Sequence, residues 1–181
     1  QLFAILGRDP LQAYRAFFID PVSTLYGVGE LGVKGAPLIL CAIGLAIGFR
    51  ANVWNIGAEG QFILGAIFGG GVALAAGDSE GVWILPAMIV AGAIGGMAWA
   101  AIPAFLKTRF NANEILTSLM LTYVAQLLLI YLVVGPWKDP EGYGFPQTRL
   151  FSDAATMAIL VSGTRIHLGV LAAVIVVALG W

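Results

Sequence analysis

Charged residues are scarce in this chain: only 10% of its 181 residues are Asp, Glu, Lys or Arg. A soluble domain carries about 25% charged residues, so this composition cannot supply a water-facing surface. Nine Lys and Arg against ten Asp and Glu also leave no basic excess, which excludes a nucleic-acid-binding protein. With 60% apolar residues and a mean hydropathy of +0.92, the chain is predicted to lie in a lipid bilayer.

Residues for catalysis and metal binding are equally few. One cysteine, Cys41, and one histidine, His167, allow no internal disulfide and predict no zinc site. None of the three lysines follows a glycine and precedes Ser or Thr, so no phosphate-binding loop is predicted. Residues 77–81 match the Gly-x-Ser-x-Gly pattern, but they form a turn between apolar segments rather than a strand-to-helix elbow. We therefore predict a protein without catalytic residues, bound cofactor or metal.

Uncharged stretches divide the chain into predicted membrane spans, for which roughly 20 residues are needed to cross a bilayer. We place five spans near residues 35–49, 56–77, 81–106, 114–137 and 166–181. The predicted fold class is an all-α, polytopic membrane helix bundle with a single transmembrane domain over 1–181. Glycine pairs four residues apart, Gly44/Gly48, Gly65/Gly69 and Gly92/Gly96, predict close packing in three successive helices.

Loop charge predicts the orientation. The short basic connection at residues 107–109 is predicted to be cytoplasmic, which places the segments 8–34 and 138–165 outside. The chain starts with Gln1 rather than Met and closes on Trp181 within an apolar run. We therefore expect a part of a longer protein, with residues 1–7 as the tail of a further span.

The first of two polar islands within this apolar sequence covers residues 49–61. Charged groups at membrane depth usually face a helix-bundle interior or a watery cavity. Gly57 and Gly60 on either side of Glu59 favour a broken helix that lines a cavity or gate, and on a helix Asn52, Asn55 and Glu59 would share a face. A tight interhelical turn, with Glu59 near the start of the next helix, is the alternative. The candidate pathway or gate residues are Arg50, Asn52, Asn55, Glu59 and Gln61.

The second polar island covers residues 107–114 and leads into a predicted membrane helix. Asn113 or Asn111 suits the N-cap position, and Glu114 in the first turn suits the helix dipole. Polar residues then recur every four positions, a stripe that either hydrogen-bonds to neighbouring helices or faces an aqueous route. The second set of candidate pathway residues is Asn113, Glu114, Ser118, Thr122 and Gln126.

The two islands carry a family resemblance. Residues 49–61 (FRANVWNIGAEGQ) and 113–121 (NEILTSLML) resemble inner-membrane permease subunits of bacterial ABC importers. The nucleoside and simple-sugar permeases, which are related to the ribose and branched-chain amino acid permeases, are the most similar branch. Residues 135–140 (GPWKDP) and 163–169 (GTRIHLG) are similar to the same branch.

The resemblance implies a bacterial inner-membrane permease of roughly ten spans that hydrolyses nothing itself. Its implied partners are a second permease subunit, cytoplasmic ATPase subunits that bind ATP and Mg, and an external solute-binding lipoprotein. The predicted function is therefore to form the translocation pathway for a nucleoside or simple sugar. Two alternatives stay open on the residues alone: an ion- or proton-coupled secondary transporter, and a structural membrane subunit without a transport path.

Overall fold

The computed structural model describes residues 9–180, and this part of the chain is helical. Seven α-helices follow one another: α1 (Pro10–Tyr14), α2 (Asp20–Ser23), α3 (Leu25–Arg50), α4 (Ala58–Ala76), α5 (Ile84–Phe110), α6 (Glu114–Val134) and α7 (Leu168–Gly180). A π-helical turn, Arg15–Ile19, joins α1 to α2, and Asp153–Ala155 form a 3-10 turn. Within residues 9–180, β pairing is limited to two isolated bridges, Lys138 with Thr148 and Ile159 with His167.

Four of the described helices are long and apolar enough to cross a membrane. These are α3, α4, α5 and α6, with 26, 19, 27 and 21 residues. The helix α7 is also apolar, with 13 described residues that run to the last described position, Gly180. The length and apolar character of α3 to α6 are those of a polytopic membrane bundle.

The helix α3 differs most from the predicted span 35–49, because it begins at Leu25. The predicted span begins after Lys34 because it includes only uncharged residues. The helix instead extends further towards the N-terminus and includes both Lys34 and Glu30. Glu30 is largely sheltered, with 18% of its side chain exposed, and it pairs with Arg165 at 3.5 Å. The last ten residues of the predicted outer segment 8–34 therefore belong to α3.

The remaining helices lie within or near their predicted spans but end at different residues. The span 81–106 becomes α5, which continues through the basic triplet to Phe110 and ends where Asn111 turns to a left-handed conformation (φ 53°). The span 114–137 becomes α6, which stops at Val134 before Gly135 and Pro136. The spans 56–77 and 166–181 contain the shorter helices α4 and α7. Residues 1–7 and Trp181 lie outside the described residues.

The chain forms two compact units. The described part of the first comprises residues 9–43 and 157–180. In this unit Gly29 on α3 lies against the stretch before α7, because a methyl group at Gly29 would be 3.2 Å from Thr164 Cβ and 3.3 Å from an Ile166 carbon. The Glu30–Arg165 ion pair joins the same two stretches of chain.

The second unit comprises Gly44–Thr156, and its most extensive helix contact is between α4 and α5. Glycines set this contact: a methyl group on Gly65 would be 3.1 Å from the carbonyl oxygen of Gly92, and one on Gly96 would be 3.3 Å from that of Gln61. The predicted pairs Gly65/Gly69 and Gly92/Gly96 therefore do allow close helix approach. The pair Gly44/Gly48 does not, since Gly44 has no described atom within 4 Å of its added methyl position.

One apolar core of the second unit lies between α4 and α6. Its buried members are Leu64 and Ile67 on α4 and Ala125 on α6, surrounded by partly buried side chains that include Trp99 and Leu128. Trp99 Nε1 donates to the backbone carbonyl of Leu121 at 3.3 Å, which ties α5 to α6. This core holds together the helix ends that carry both polar islands.

Candidate functional site

The two polar islands meet at one end of the second unit, around a cavity of about 230 Å³. The cavity lies between the last turns of α3 and α5, the first turns of α4 and α6, and the connection that joins α3 to α4. Its lining is formed by Gly44, Leu45, Gly48, Val53, Asn55, Gln61, Ala100, Pro103, Ala104, Lys107, Glu114 and Ser118. Residues from separate predicted islands therefore share one site.

The connection between α3 and α4 is not helical. Asn52 takes a left-handed conformation (φ 56°), and the Val53 N–H returns to the Gly48 carbonyl at 2.9 Å, which closes the end of α3. Asn55 Oδ1 then accepts the Gly57 N–H at 2.8 Å, just before α4 begins. These turns place the Asn55 side chain at the wall of the cavity.

A hydrogen bond from α6 fixes this connection. The Ile56 N–H donates to Ser118 Oγ at 3.2 Å, and Ser118 is 1% exposed. Gly57 allows the approach, since a methyl group there would be 2.9 Å from Ser118 Cβ. Ser118 therefore both lines the cavity and positions the segment opposite.

The connection between α5 and α6 is short and tightly turned. The Asn111 N–H bonds to the Lys107 carbonyl at 2.9 Å, and Asn113 Oδ1 accepts the N–H groups of Ile115 and Leu116 at 3.0 and 3.2 Å. The free backbone groups at the end of α5 and at the start of α6 thus find hydrogen-bond partners in these caps. The turn brings the Lys107 ammonium against the Glu114 carboxylate, where the two form an ion pair at the cavity wall.

The predicted pathway residues separate into two groups. Four line the cavity: Asn55, Gln61, Glu114 and Ser118. Six do not line it: Arg50, Asn52, Glu59, Asn113, Thr122 and Gln126. Arg50 and Asn52 are exposed at the turn after α3, and Asn113 caps α6.

The other three residues join α4 to α6. Gln126 Nε2 donates to Glu59 Oε1 at 2.9 Å. Thr122 is buried against Gly60, where a methyl group would be 2.9 Å from Thr122 Cα. Within the polar stripe on α6, Glu114 and Ser118 face the cavity, whereas Thr122 and Gln126 contact a neighbouring helix.

The helical face expected for Asn52, Asn55 and Glu59 does not form. The reason is that Asn52 ends the preceding helix and Asn55 lies in an extended turn, so only Glu59 is helical. The segment is a tight interhelical turn, and Asn55 within it lines the cavity.

Lys107 is the cavity residue that the sequence reasoning missed. The sequence places it in the second polar island and in the basic connection that predicts the orientation, but not among the candidate pathway residues. Its spacing from Glu114, seven residues across a connection rich in asparagine, was the available signal, because opposite charges at the two ends of a short turn face each other. Gly44 and Gly48, predicted as packing residues, also lie at the cavity wall.

A second cavity of about 470 Å³ lies elsewhere in the unit, between the later turns of α4 and α6 and the segment after them. Trp137 and Phe151 are its aromatic lining residues, and none of its lining residues is charged. Four polar residues of the two islands, Asn55, Gln61, Lys107 and Glu114, line the smaller cavity.

The fold and the site define a class: a multi-pass membrane protein whose helix ends border a small, largely apolar cavity with five polar or charged residues in its wall. The chain belongs to the family described as branched-chain amino acid transport system / permease component, whose model matches residues 28–181.

Three relatives illustrate the family. The glucose ABC transporter permease protein TsgB13 of Haloferax volcanii is 41% identical over 93% of this chain and 47% of its own length. The guanosine permease NupP of Bacillus subtilis is 26% identical over 99% of this chain and 52% of its own. The nucleoside permease NupB of Lactococcus lactis is 25% identical over 93% and 48%. The chain therefore spans about half the length of these relatives, and no solved structure matches it significantly.

Proposed function

We propose that the protein is a permease subunit of an ATP-binding-cassette importer and that this chain forms part of its translocation pathway for a nucleoside or simple sugar. The observation that carries the proposal is the cavity at the helix ends, with polar side chains set in a largely apolar wall, in a chain that belongs to a permease family. The names of the relatives, glucose, guanosine and nucleoside permeases, support this range of solutes.

The chemistry of the cavity suits such a solute. Asn55 and Gln61 offer amide donors and acceptors, and Ser118 offers a hydroxyl. Each hydroxyl or amide of a sugar or nucleobase needs a hydrogen-bond partner when it leaves water. Neutral groups of this kind provide those partners without holding the solute as tightly as a full charge would, and a transport pathway has to release what it binds.

The remaining parts of the importer are assigned by this proposal to other chains. ATP and Mg bind to cytoplasmic ATPase subunits, a second permease subunit completes the pathway, and an external solute-binding lipoprotein delivers the solute. The turns at residues 51–57 and 111–113 face the cytoplasm in a bacterial inner membrane. ATP-driven movement would then switch the permease between two packings, each stabilised by different contacts.

The test is uptake of radiolabelled guanosine, uridine and glucose by cells that express the full-length permease with the products of its neighbouring genes. We expect uptake of at least one solute, and we expect it to stop when the ATPase is replaced by a variant that binds but does not hydrolyse ATP. The matched control keeps the active ATPase and omits the permease.

Two results would contradict the proposal. Uptake that is independent of the ATPase and collapses with an uncoupler while ATP is maintained would indicate a secondary transporter. Uptake that does not require the permease, or that survives replacement of Asn55, Gln61 and Ser118 together by Ala, would indicate a structural subunit.

A further inference from the structure

The cavity between the helix ends holds two opposite charges that face each other. Its charged lining residues are Lys107, in the last turn of α5, and Glu114, in the first turn of α6. Their side chains are 36% and 19% exposed, so both are partly withdrawn from solvent. The other polar lining residues, Asn55, Gln61 and Ser118, are neutral, and the cavity wall therefore has no net charge.

The arginines nearest in sequence do not change this balance. Arg50 and Arg109 are exposed and do not line the cavity. The charge of the cavity is therefore decided by Lys107 and Glu114 alone among its lining residues. Removal of either partner would leave one uncompensated charge in a partly desolvated wall, where electrostatic interactions are stronger than in water.

We propose that Lys107 and Glu114 determine specificity, as a charge-compensating pair that makes the cavity accept uncharged, hydroxyl- or amide-bearing solutes and reject anionic and cationic ones. The inference rests on the proposed transport function and narrows its substrate class. Phosphorylated sugars and nucleotides would be excluded because Lys107 is already neutralised by Glu114, so their charge would leave water without a counter-charge in the cavity. A cationic amino sugar would be excluded because Glu114, the carboxylate that could pair with it, is already neutralised by Lys107.

A purely structural pair is the competing explanation. Lys107 and Glu114 flank the connection between α5 and α6, and an ion pair there also fastens two helix ends. A fastening role predicts that loss of either charge affects stability alone. A specificity role predicts that the cavity changes its preference for charged molecules, with opposite sign for the two substitutions.

The experiment measures the charge preference of the cavity by cysteine labelling in membranes that contain the full-length permease. The variant Gln61→Cys, with Cys41→Ala, places one thiol of the described chain at the cavity wall. Its rates of reaction are compared for a negatively charged and a positively charged methanethiosulfonate reagent. Leu127→Cys, on α6 and outside the cavity lining, is the matched control and is expected to react slowly with both.

With the pair intact, we expect the two reagents to label Gln61→Cys at similar rates, relative to a free thiol. Adding Glu114→Gln should favour the anionic reagent, and adding Lys107→Gln should favour the cationic one. A unit charge roughly 12 Å away at an effective dielectric constant of about 20 changes the local concentration of a charged reagent up to about tenfold. The exchange of both charges, Lys107→Glu with Glu114→Lys, should restore the original ratio and serves as the folding control.

Uridine and glucose, compared with uridine monophosphate and glucose 6-phosphate, then test the solute class. We expect an unphosphorylated compound to slow the labelling of Gln61→Cys and its phosphorylated form to do so only after Glu114→Gln. Equal protection by both forms, an unchanged charge preference in the single variants, or labelling of those single variants no faster than that of Leu127→Cys would each overturn the inference. ATPase-dependent uptake would still stand in those cases, so the two proposals fail separately.

Discussion

Ser118 and Ile56, which lie 62 positions apart in the chain, are joined by a hydrogen bond of 3.2 Å from the Ile56 N–H to Ser118 Oγ. The bond connects the non-helical turn after α3 to the first part of α6. Ser118 also donates to the Ile115 carbonyl of its own helix at 3.2 Å, so its hydroxyl uses both a donor and an acceptor. This bond therefore links the turn at the cavity to α6, in addition to the hydrogen bonds within the turn itself.

Ser118→Ala should loosen this turn. The substitution removes the acceptor of the Ile56 N–H, a loss that costs about 1 kcal/mol at a partly buried site and changes the equilibrium between the held and released turn about fivefold. We expect a lower melting temperature and reduced uptake. Thr117→Ala is the matched control, because the Thr117 hydroxyl donates to carbonyls of its own helix. Equal effects of the two substitutions would contradict the assigned role.

Glu59→Gln should reduce uptake without preventing membrane insertion. Glutamine retains an oxygen that can accept the bond from Gln126, now 2.9 Å long, so the contact between α4 and α6 is preserved. What is lost is a negative charge in the first turn of α4, worth about 0.3–1 kcal/mol through the helix dipole.

The measurement for Glu59 compares uptake with the amount of protein in the membrane. Gln126→Met, which removes the bond and keeps the charge, is the companion variant. Wild-type uptake by well-inserted Glu59→Gln protein would remove the Glu59 charge from the transport mechanism and leave it a helix-packing residue.

The membrane helices were predictable because few competing patterns exist in so apolar a chain. The predicted start of α3 differs from the observed one because a specific ion pair outweighs the charge pattern of the sequence. The charges of Lys34 and Glu30 do not set the start of α3, since Glu30 forms an ion pair with Arg165. Bounds that depend on a cap or a proline, such as the end of α6 before Pro136, were accurate to a few residues.

The site was predictable in location and less so in membership. Polar islands indicate where polar groups are needed, but they do not show which side chain faces a cavity and which contacts a helix. That choice depends on close approaches such as Gly60 to Thr122 and Gly57 to Ser118, which sequence spacing alone does not specify. Lys107 was missed for the same reason, because its partner is defined by the geometry of a turn.

Asn113→Ala tests whether this predicted pathway residue acts as a helix cap. The side chain accepts two backbone N–H groups at the start of α6, and loss of such a cap costs about 0.5–2 kcal/mol. Asn113→Asp and Asn113→Ser keep the cap and should retain both stability and uptake, as measured by thermal unfolding and solute import. A loss of uptake in the capping variants, with stability unchanged, would show instead that Asn113 contacts the solute.

Gly60→Ala should destabilise the contact between α4 and α6. The added methyl group would lie 2.9 Å from Thr122 Cα and 3.3 Å from its backbone N, and backbone atoms in a packed helix cannot move aside without separating the helices. Overpacking of this kind costs about 1–3 kcal/mol, which outweighs the better helix propensity of alanine. Gly35→Ala is the control, because no described atom lies within 4 Å of its added methyl group. We expect thermal unfolding at a lower temperature for Gly60→Ala and at an equal or higher one for Gly35→Ala. Equal behaviour of the two variants would show that α4 and α6 are not packed at Gly60 as described.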